Sequence, residues 1–148
     1  PFYWEVVAGA FVGKSRSFAH LSSMAEAGIT HYRVVAVRDQ HTTPICLHLD
    51  GKVFSVAGAL AHAHREAALE NPDDIRRVSP WVRQRGNQLV VDHASGRVAL
   101  ATIIRSGVGA NDDPGEFRGH VTTDRLQALG VSCPPFHALC RTTILAMR

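Results

Sequence analysis

Two short stretches near opposite ends of the chain carry residues that could bind a metal ion. The first holds Cys46 and His48, and the second holds His137 and Cys140. Thiolate and imidazole groups are the ligands found in structural zinc sites, where four of them form a closed tetrahedral cage. If folding brings the two stretches together, these four residues form a zinc site.

The spacing of the ligands leaves alternatives open. The His-x-x-Cys spacing of the second stretch puts two donors on one turn, whereas the Cys-x-His spacing of the first is uncommon in zinc sites. The fourth ligand is His48 or, in its place, Asp50 or Cys133. Without a metal, the cysteines are buried thiols or a disulfide, and His137 is a hydrogen-bonded core histidine.

The same residues could instead form a catalytic site. A cysteine and a histidine can act as nucleophile and base, with Asp39 or Asp50 orienting the imidazole. Cys46, however, follows Pro-Ile in a predicted turn, with no glycine-rich elbow and no evident helix N-terminus to lower its pKa. We therefore assign no catalytic residue and expect no enzyme, with a cysteine hydrolase or a His/Arg nuclease as the alternatives.

Polar residues in both stretches also have structural explanations. Asp39 and Thr42 are placed to close a turn at the exit of a strand. Asp50-Gly51 is a hairpin-type turn. Arg141 is expected either to pair with Asp39 or Asp50, which would hold the two stretches together, or to point into solvent.

Length and composition predict one globular domain spanning residues 1–148. The chain has 45% hydrophobic and 20% charged residues, and no apolar run approaches the roughly 20 residues that cross a bilayer. We expect no membrane span. The chain shows no secretory signal. It starts with Pro1, and the missing initiator Met suggests a fragment of a longer protein. Three cysteines argue against a secreted disulfide framework.

The basic balance of the chain points weakly to nucleic acid. The formal net charge is +3, and arginines are concentrated between residues 65 and 85. Arg76, Arg77, Arg83 and Arg85 either face phosphate groups or form a solvated surface, since only a cluster on one face makes a phosphate site. No helix-turn-helix or other nucleic-acid motif is present.

Sequence patterns predict an α+β domain that positions the two stretches. A long helix is predicted over residues 2–27, with Gly28 as its C-cap, either continuous or interrupted near two internal glycines. Strands are predicted over 31–37, 52–56 and 141–147, with the last joined to the first in one small mixed or antiparallel sheet.

The middle of the chain predicts further short elements. Helices are expected over 57–70 and 123–129, and a strand hairpin over 88–91 and 97–104, with helix as an alternative for its second arm. Residues 106–119 are rich in Gly, Asn, Asp and Pro, so this segment is predicted to be a surface loop that is disordered or contacts a partner.

The two stretches resemble the phage head morphogenesis family typified by the Mu protein F, the minor head proteins. Members read Asp-x-Arg-Thr, then Cys, then Asp-Gly-Lys-x-Phe, and close with Pro-Pro-x-His-x-x-Cys-Arg. The residues that fall on this pattern are Asp39, Thr42, Cys46, Asp50, Gly51, Lys52, Phe54, Pro134, Pro135, His137, Cys140 and Arg141. The family's usual Arg is His41 here, and Thr43 stands where many members have a further Cys, which leaves the fourth ligand open.

This resemblance covers nearly the whole chain, although residues 57–129 match only in being variable. It implies a non-enzymatic minor capsid protein, associated with the portal inside the head, that assists capsid assembly and DNA packaging or ejection. The implied partners are portal and capsid proteins and the packaged DNA, in the virion interior or, during assembly, the host cytoplasm. Members fused to toxin or nuclease domains imply an alternative, a delivered effector with Cys/His hydrolase or nuclease activity.

Overall fold

The computed structural model describes residues 2–107 and 113–148 and has an α+β fold, as predicted. A 3-10 turn at Pro72–Asp74 precedes the fourth helix. The other elements are, in chain order, α1 (Phe2–Glu26), β1 (His31–Val35), α2 (Pro44–Leu49), β2 (Val53–Ser55), α3 (Val56–Ala67), α4 (Ile75–Val78), β3 (Arg83–Arg85), β4 (Gln88–His93), β5 (Gly96–Arg105), β6 (Glu116–Gly119), α5 (Thr123–Ala128) and β7 (Thr143–Met147).

Helix α1 runs without interruption through both of its glycines. Gly13 packs against the ring of Pro135, where a Cβ would lie 3.5 Å away, so a small residue suits this contact. The helix ends as predicted at Gly28, whose φ of +74° is the left-handed conformation that glycine adopts easily. Its last turns bury Leu21 and Met24. No helix among the described residues is both long and apolar enough to span a bilayer.

The first sheet joins the two ends of the chain. Its strand order is β2-β1-β7, all antiparallel, and β1 pairs with β7 from His31–Met147 to Val35–Thr143. The prediction that the last strand pairs with the first is confirmed. This pairing is non-local in sequence, and it brings the segment before β7 next to the segment after β1.

A second antiparallel sheet, which the sequence patterns did not separate from the first, has the order β3-β4-β5-β6. The predicted hairpin is confirmed as β4 and β5, and the helical alternative for the second arm is wrong. Strand β6 lies inside the segment predicted to be a loop, so that prediction is wrong for residues 116–119. These residues form a strand because they pair with the free edge of β5. Residues 108–112 of that segment lie outside the described residues.

One hydrophobic core serves both sheets. Tyr32 and Val34 of β1 lie in the same buried cluster as Leu89 and Val91 of β4. The Tyr32 hydroxyl donates a 2.5 Å hydrogen bond to the carbonyl oxygen of Ser132, so its buried polar atom is satisfied. The two predicted helices in the middle are confirmed as α3 and α5, whereas α2 and α4 were not predicted.

Candidate metal centre

Cys46 lies in the connection between β1 and β2, as predicted, but on helix α2, so the prediction that it sits in a turn is wrong. Thr43 is the N-cap, with its Oγ1 accepting from the Cys46 amide at 3.4 Å, and Pro44 occupies the first helical position. A Thr-Pro pair is a helix start signal, because the threonine hydroxyl caps a free amide and the proline lacks one. Burial of Ile45 and Leu49 holds this short helix in the protein.

The second stretch forms an irregular loop between α5 and β7. Phe136 anchors the loop in the core, and Leu139 adopts a left-handed φ of 57°, which is unusual for a residue with a side chain. The His137 Nδ1 atom lies 2.7 Å from the carbonyl oxygen of Ala138. A carbonyl only accepts hydrogen bonds, so Nδ1 carries the proton and Nε2 is the ring atom directed at Cys46.

The two stretches converge as the metal hypothesis requires. The Cys46 Sγ atom lies 3.0 Å from His137 Nε2 and 3.7 Å from Cys140 Sγ. One ligand atom from each of these residues lies within 4.8 Å of the others. Sequence analysis therefore identified three residues that folding brings together across more than ninety positions.

These distances fit a tetrahedral zinc ion. Bonds of about 2.3 Å to sulfur and about 2.1 Å to nitrogen give edges of about 3.8 Å between two sulfurs and about 3.6 Å between sulfur and nitrogen. The observed sulfur separation of 3.7 Å matches the first edge, and the 3.0 Å from Cys46 to His137 needs to widen by about half an ångström. Both thiolate and imidazole donors suit zinc.

Hydrogen bonds within the cluster shift the pKa values of its three groups. The hydrogen bond from Cys46, assisted by that of His137, lowers the pKa of the Cys140 thiol against the opposing effect of burial. The hydrogen bond to Cys140, followed by burial, raises the pKa of Cys46. Burial lowers the pKa of His137, but the hydrogen bond and the charge of Cys140 together outweigh it and raise that pKa. Because thiols bind metal ions as thiolates, the lowered pKa of Cys140 favours its role as a ligand.

The structure does not bring His48 into this cluster. His48 follows Cys46 by two residues on α2, and positions two apart on a helix face different directions. Its ring lies instead against Phe117 of β6, with 5.3 Å between ring centroids. Burial, with smaller effects from Lys52 and His120, lowers the pKa of His48 to about 4. This histidine links α2 to the second sheet.

Neither Asp50 nor Cys133 replaces His48 as the fourth ligand. The Asp50 carboxylate accepts from the Ala36 amide at 2.9 Å and forms an ion pair with Arg38 at 2.7 Å. Cys133 is half-buried, and desolvation is the main cause that raises its pKa to about 11. Among the residues that the structure describes, no other His, Cys, Asp or Glu completes the group of three.

A hydroxyl group missed by sequence analysis borders the cluster. Thr43 Oγ1 lies 3.2 Å from His137 Nε2. In the family that the chain resembles, many members have a cysteine at the position of Thr43. That match could have indicated that Thr43 lies beside the metal ligands. A small surface cavity of about 20 Å³ borders Thr43, Cys46 and His137. That volume has room for one water molecule, which could serve as a fourth ligand of zinc.

The predicted ion pair between the two stretches is confirmed with Asp39 as the partner of Arg141. Two guanidinium nitrogens donate to the two carboxylate oxygens at 2.8 and 2.7 Å. This pairing, together with the hydrogen bond from the His41 amide, lowers the pKa of Asp39. The hydrogen bonds between Asp39 and Arg141 also raise the pKa of Arg141.

The turn predicted at Asp39 and Thr42 is confirmed, whereas the turn at Asp50-Gly51 joins helix α2 to β2 and is not a hairpin between two strands. The Asp39 amide donates to Thr42 Oγ1 at 2.8 Å, and the Thr42 hydroxyl donates to the carbonyl of Val37. Gly51 has a φ of +79° and donates its amide to the Val34 carbonyl at 2.8 Å. These turns place α2 beside the exit of β1 and so set the position of the Cys46 thiol.

The four arginines considered for nucleic-acid contact lie on two different elements. Arg76 and Arg77 are exposed on the single turn α4, whereas Arg83 and Arg85 are exposed on the edge strand β3. The sequence grouped them by proximity along the chain, but the structure distributes them over a helix and a sheet.

No protein-family model, curated protein or solved structure matches this chain. The resemblance to the minor head proteins therefore remains a prediction that rests on the residues of the two stretches.

Proposed function

We propose that this chain is a minor head protein domain of a phage or prophage, held together by a structural zinc ion. The convergence of Cys46, His137 and Cys140 carries the proposal, because these are residues that the family pattern shares with this chain and they have the donor chemistry of zinc. The domain would act by contact with the portal and capsid proteins inside the virion, and not by catalysis.

The clasp formed by Cys46, His137 and Cys140 is placed to hold the ends of the chain together. Strand β7 lies at the edge of its sheet and, among the described strands, pairs with β1 alone. Cys140 lies three residues before β7, and Cys46 lies on α2, the helix that follows β1, so an ion bound to both would hold the pairing of these strands. The Asp39–Arg141 ion pair spans the same two segments.

An exposed aromatic surface on α1 supports a role in assembly. Phe2, Tyr3, Trp4 and Phe11 in its first half each leave between 65% and 72% of their surface open to solvent. Large apolar side chains exposed in a group are typical of surfaces that other proteins cover. A portal or capsid protein is the kind of partner that the resemblance supplies for this helix.

Elemental analysis of purified protein tests the metal part of the proposal. We expect about one zinc per chain in the unchanged protein and none in Cys46→Ser or Cys140→Ser. Cys133→Ser is the matched control and should keep its zinc, since Cys133 lies outside the cluster. Equal zinc content in all variants would contradict the assignment.

The capsid role needs a separate measurement. Mass spectrometry of heads purified from the phage or induced prophage that encodes the chain should find it at a few copies per particle. Trp4→Ala combined with Phe11→Ala should lower its incorporation while leaving the far-ultraviolet circular dichroism unchanged. Heads that contain none of this chain would contradict the proposal, whatever the zinc content.

A second candidate function, a delivered hydrolase or nuclease effector, is favoured by one observation. The chain supplies three ligands beside a water-sized cavity, and zinc with three protein ligands activates water in catalytic sites. Zinc-loaded protein would then cleave model esters or DNA, and Cys140→Ser would abolish that cleavage. Stoichiometric zinc without cleavage would leave the structural role as the explanation.

A further inference from the structure

The second sheet has one face in the core and one face directed away from it. Leu89 and Ala101 are buried in the core cluster, and Phe117 packs against it. Cross-strand partners point to the same face, and neighbours along a strand point to opposite faces. The opposite side, here called the outer face, therefore carries Arg83, Arg85, Gln88, Val90, Asp92, Arg97, Ala99, Thr102, Arg105, Glu116 and Arg118, of which Val90 is buried.

The pairing register places arginines at both ends of one row across the outer face. Arg85 pairs with Gln88, Gln88 with Thr102, and Thr102 with Arg118. Three strand spacings of about 4.8 Å separate the ends of this row, so the two arginines stand about 14 Å apart at the backbone. Arg83 lies in the adjacent row, opposite Val90.

The charges of the outer face are unbalanced toward positive. Arg97 is paired with Asp92, with nitrogen to oxygen distances of 2.8 and 3.4 Å. In the part of the chain that the structure describes, Arg83, Arg85 and Arg118 have no carboxylate within 4.0 Å. Arg105 is paired with Asp113, and the Asp92 carboxylate interacts more weakly with Arg83 and Arg85. Among the described residues, three guanidinium groups and one carboxylate, that of Glu116, are therefore left on this surface without an ion-pair partner.

The chemistry of the outer face suits phosphate. Guanidinium groups donate two parallel hydrogen bonds to phosphate oxygens and stay charged at all physiological pH values. The Gln88 amide lies between the arginines and is a further phosphate donor, whereas the Thr102 hydroxyl in the same row is hydrogen-bonded to His120 Nε2 at 2.7 Å. No aromatic residue belongs to the outer face, so it has no platform on which the bases of a single strand could stack.

We propose that the outer face of the four-stranded sheet binds the phosphate backbone of duplex DNA without sequence preference. Arg83, Arg85 and Arg118 make the contacts with phosphate. Arg97 makes none, because it is paired with Asp92. This inference goes beyond the proposed function because it needs neither zinc nor a capsid partner. An experiment that refutes one of the two proposals therefore does not refute the other.

Fluorescence anisotropy with a short labelled duplex of arbitrary sequence tests the proposal. Three phosphate contacts give a slope of log K against log salt of about −2.7, which is about a 40-fold loss of affinity between about 50 mM and about 200 mM salt. The variant with Arg83→Gln, Arg85→Gln and Arg118→Gln should lose this salt-dependent binding.

A charge-matched control separates the outer face from net charge. Arg16→Gln, Arg33→Gln and Arg125→Gln together remove the same charge from exposed arginines on α1, β1 and α5, and this variant should keep at least half of the affinity. Asp92→Asn should bind several-fold tighter and steepen the slope by about 0.9, because it releases Arg97 for a further phosphate.

Three results would overturn the proposal. They are an absence of binding at the lowest salt, an equal loss in the control variant, and displacement of the DNA by an equal charge concentration of polyglutamate. The last result would identify the outer face as a site for an acidic protein.

Discussion

Oxidation should cross-link Cys46 to Cys140 in the metal-free protein and raise its stability. The sulfur atoms lie 3.7 Å apart and need to approach to about 2.0 Å, which side-chain rotation can supply in part. The residues are 94 positions apart in sequence. Closing a loop of about 100 residues destabilises the unfolded chain by up to about 4.7 kcal/mol, and strain in the folded site reduces the gain to about 2–4 kcal/mol.

Urea unfolding under non-reducing conditions measures this gain. Treatment with hydrogen peroxide should remove two free thiols, one water forming with the sulfenic acid and one with the disulfide. The unfolding midpoint should then rise by about 1–2 M urea. Cys140→Ser should show no such rise, and Cys133→Ser is the matched control that should behave as the unchanged protein. Bound zinc should slow the reaction, since it occupies both sulfurs.

Two results would refute this reasoning. A disulfide that includes Cys133 would show that the Cys46–Cys140 contact does not direct the chemistry. A Cys46–Cys140 disulfide that forms and leaves the midpoint unchanged would show that strain cancels the entropic gain.

Other predictions concern the elements that support the site. Tyr32→Phe leaves the buried Ser132 carbonyl without its donor and should lower the free energy of unfolding by about 1–3 kcal/mol in urea titrations, with no change in zinc content. Gly130→Ala should cost at least about 2 kcal/mol in the same assay, because Gly130 has a φ of +83° and a Cβ would collide with the Val78 carbonyl, whereas Gly28→Ala, with a φ of +74° and open space, should cost less. His62 has a pKa lowered chiefly by burial, so the unfolded chain binds its proton first as pH falls; stability should drop below about pH 6.5, and His62→Gln should remove that part of the pH dependence in thermal melts. A stability that rises on acidification from that pH would contradict the burial of the neutral ring.

Local patterns predicted the elements whose signals lie within a few residues. The helix capped by Gly28, the β4–β5 hairpin and helix α5 each follow from neighbouring residues. The β6 strand could not be predicted in this way. Its residues lie in a glycine- and proline-rich segment, and they become a strand only through pairing with β5.

The metal cluster shows the same division. Residue types and the His-x-x-Cys spacing selected Cys46, His137 and Cys140, but they also selected His48, Asp50 and Cys133 as possible partners. The register of β1 against β7 and the direction of α2 determine which of these residues meet and which do not. A short capped helix turns His48 toward Phe117 and leaves the Cys46 thiol facing the second stretch.

The chemical character of a residue does not depend on the fold. The sequence alone therefore predicted the metal donors, the candidate partners of Arg141 and the arginine-rich composition. Distance and direction between residues remote in sequence arise from strand pairing and core packing, which no short window of sequence contains. Folding therefore decided that three donors meet where four were expected, and that arginines far apart in the chain share one face of a sheet.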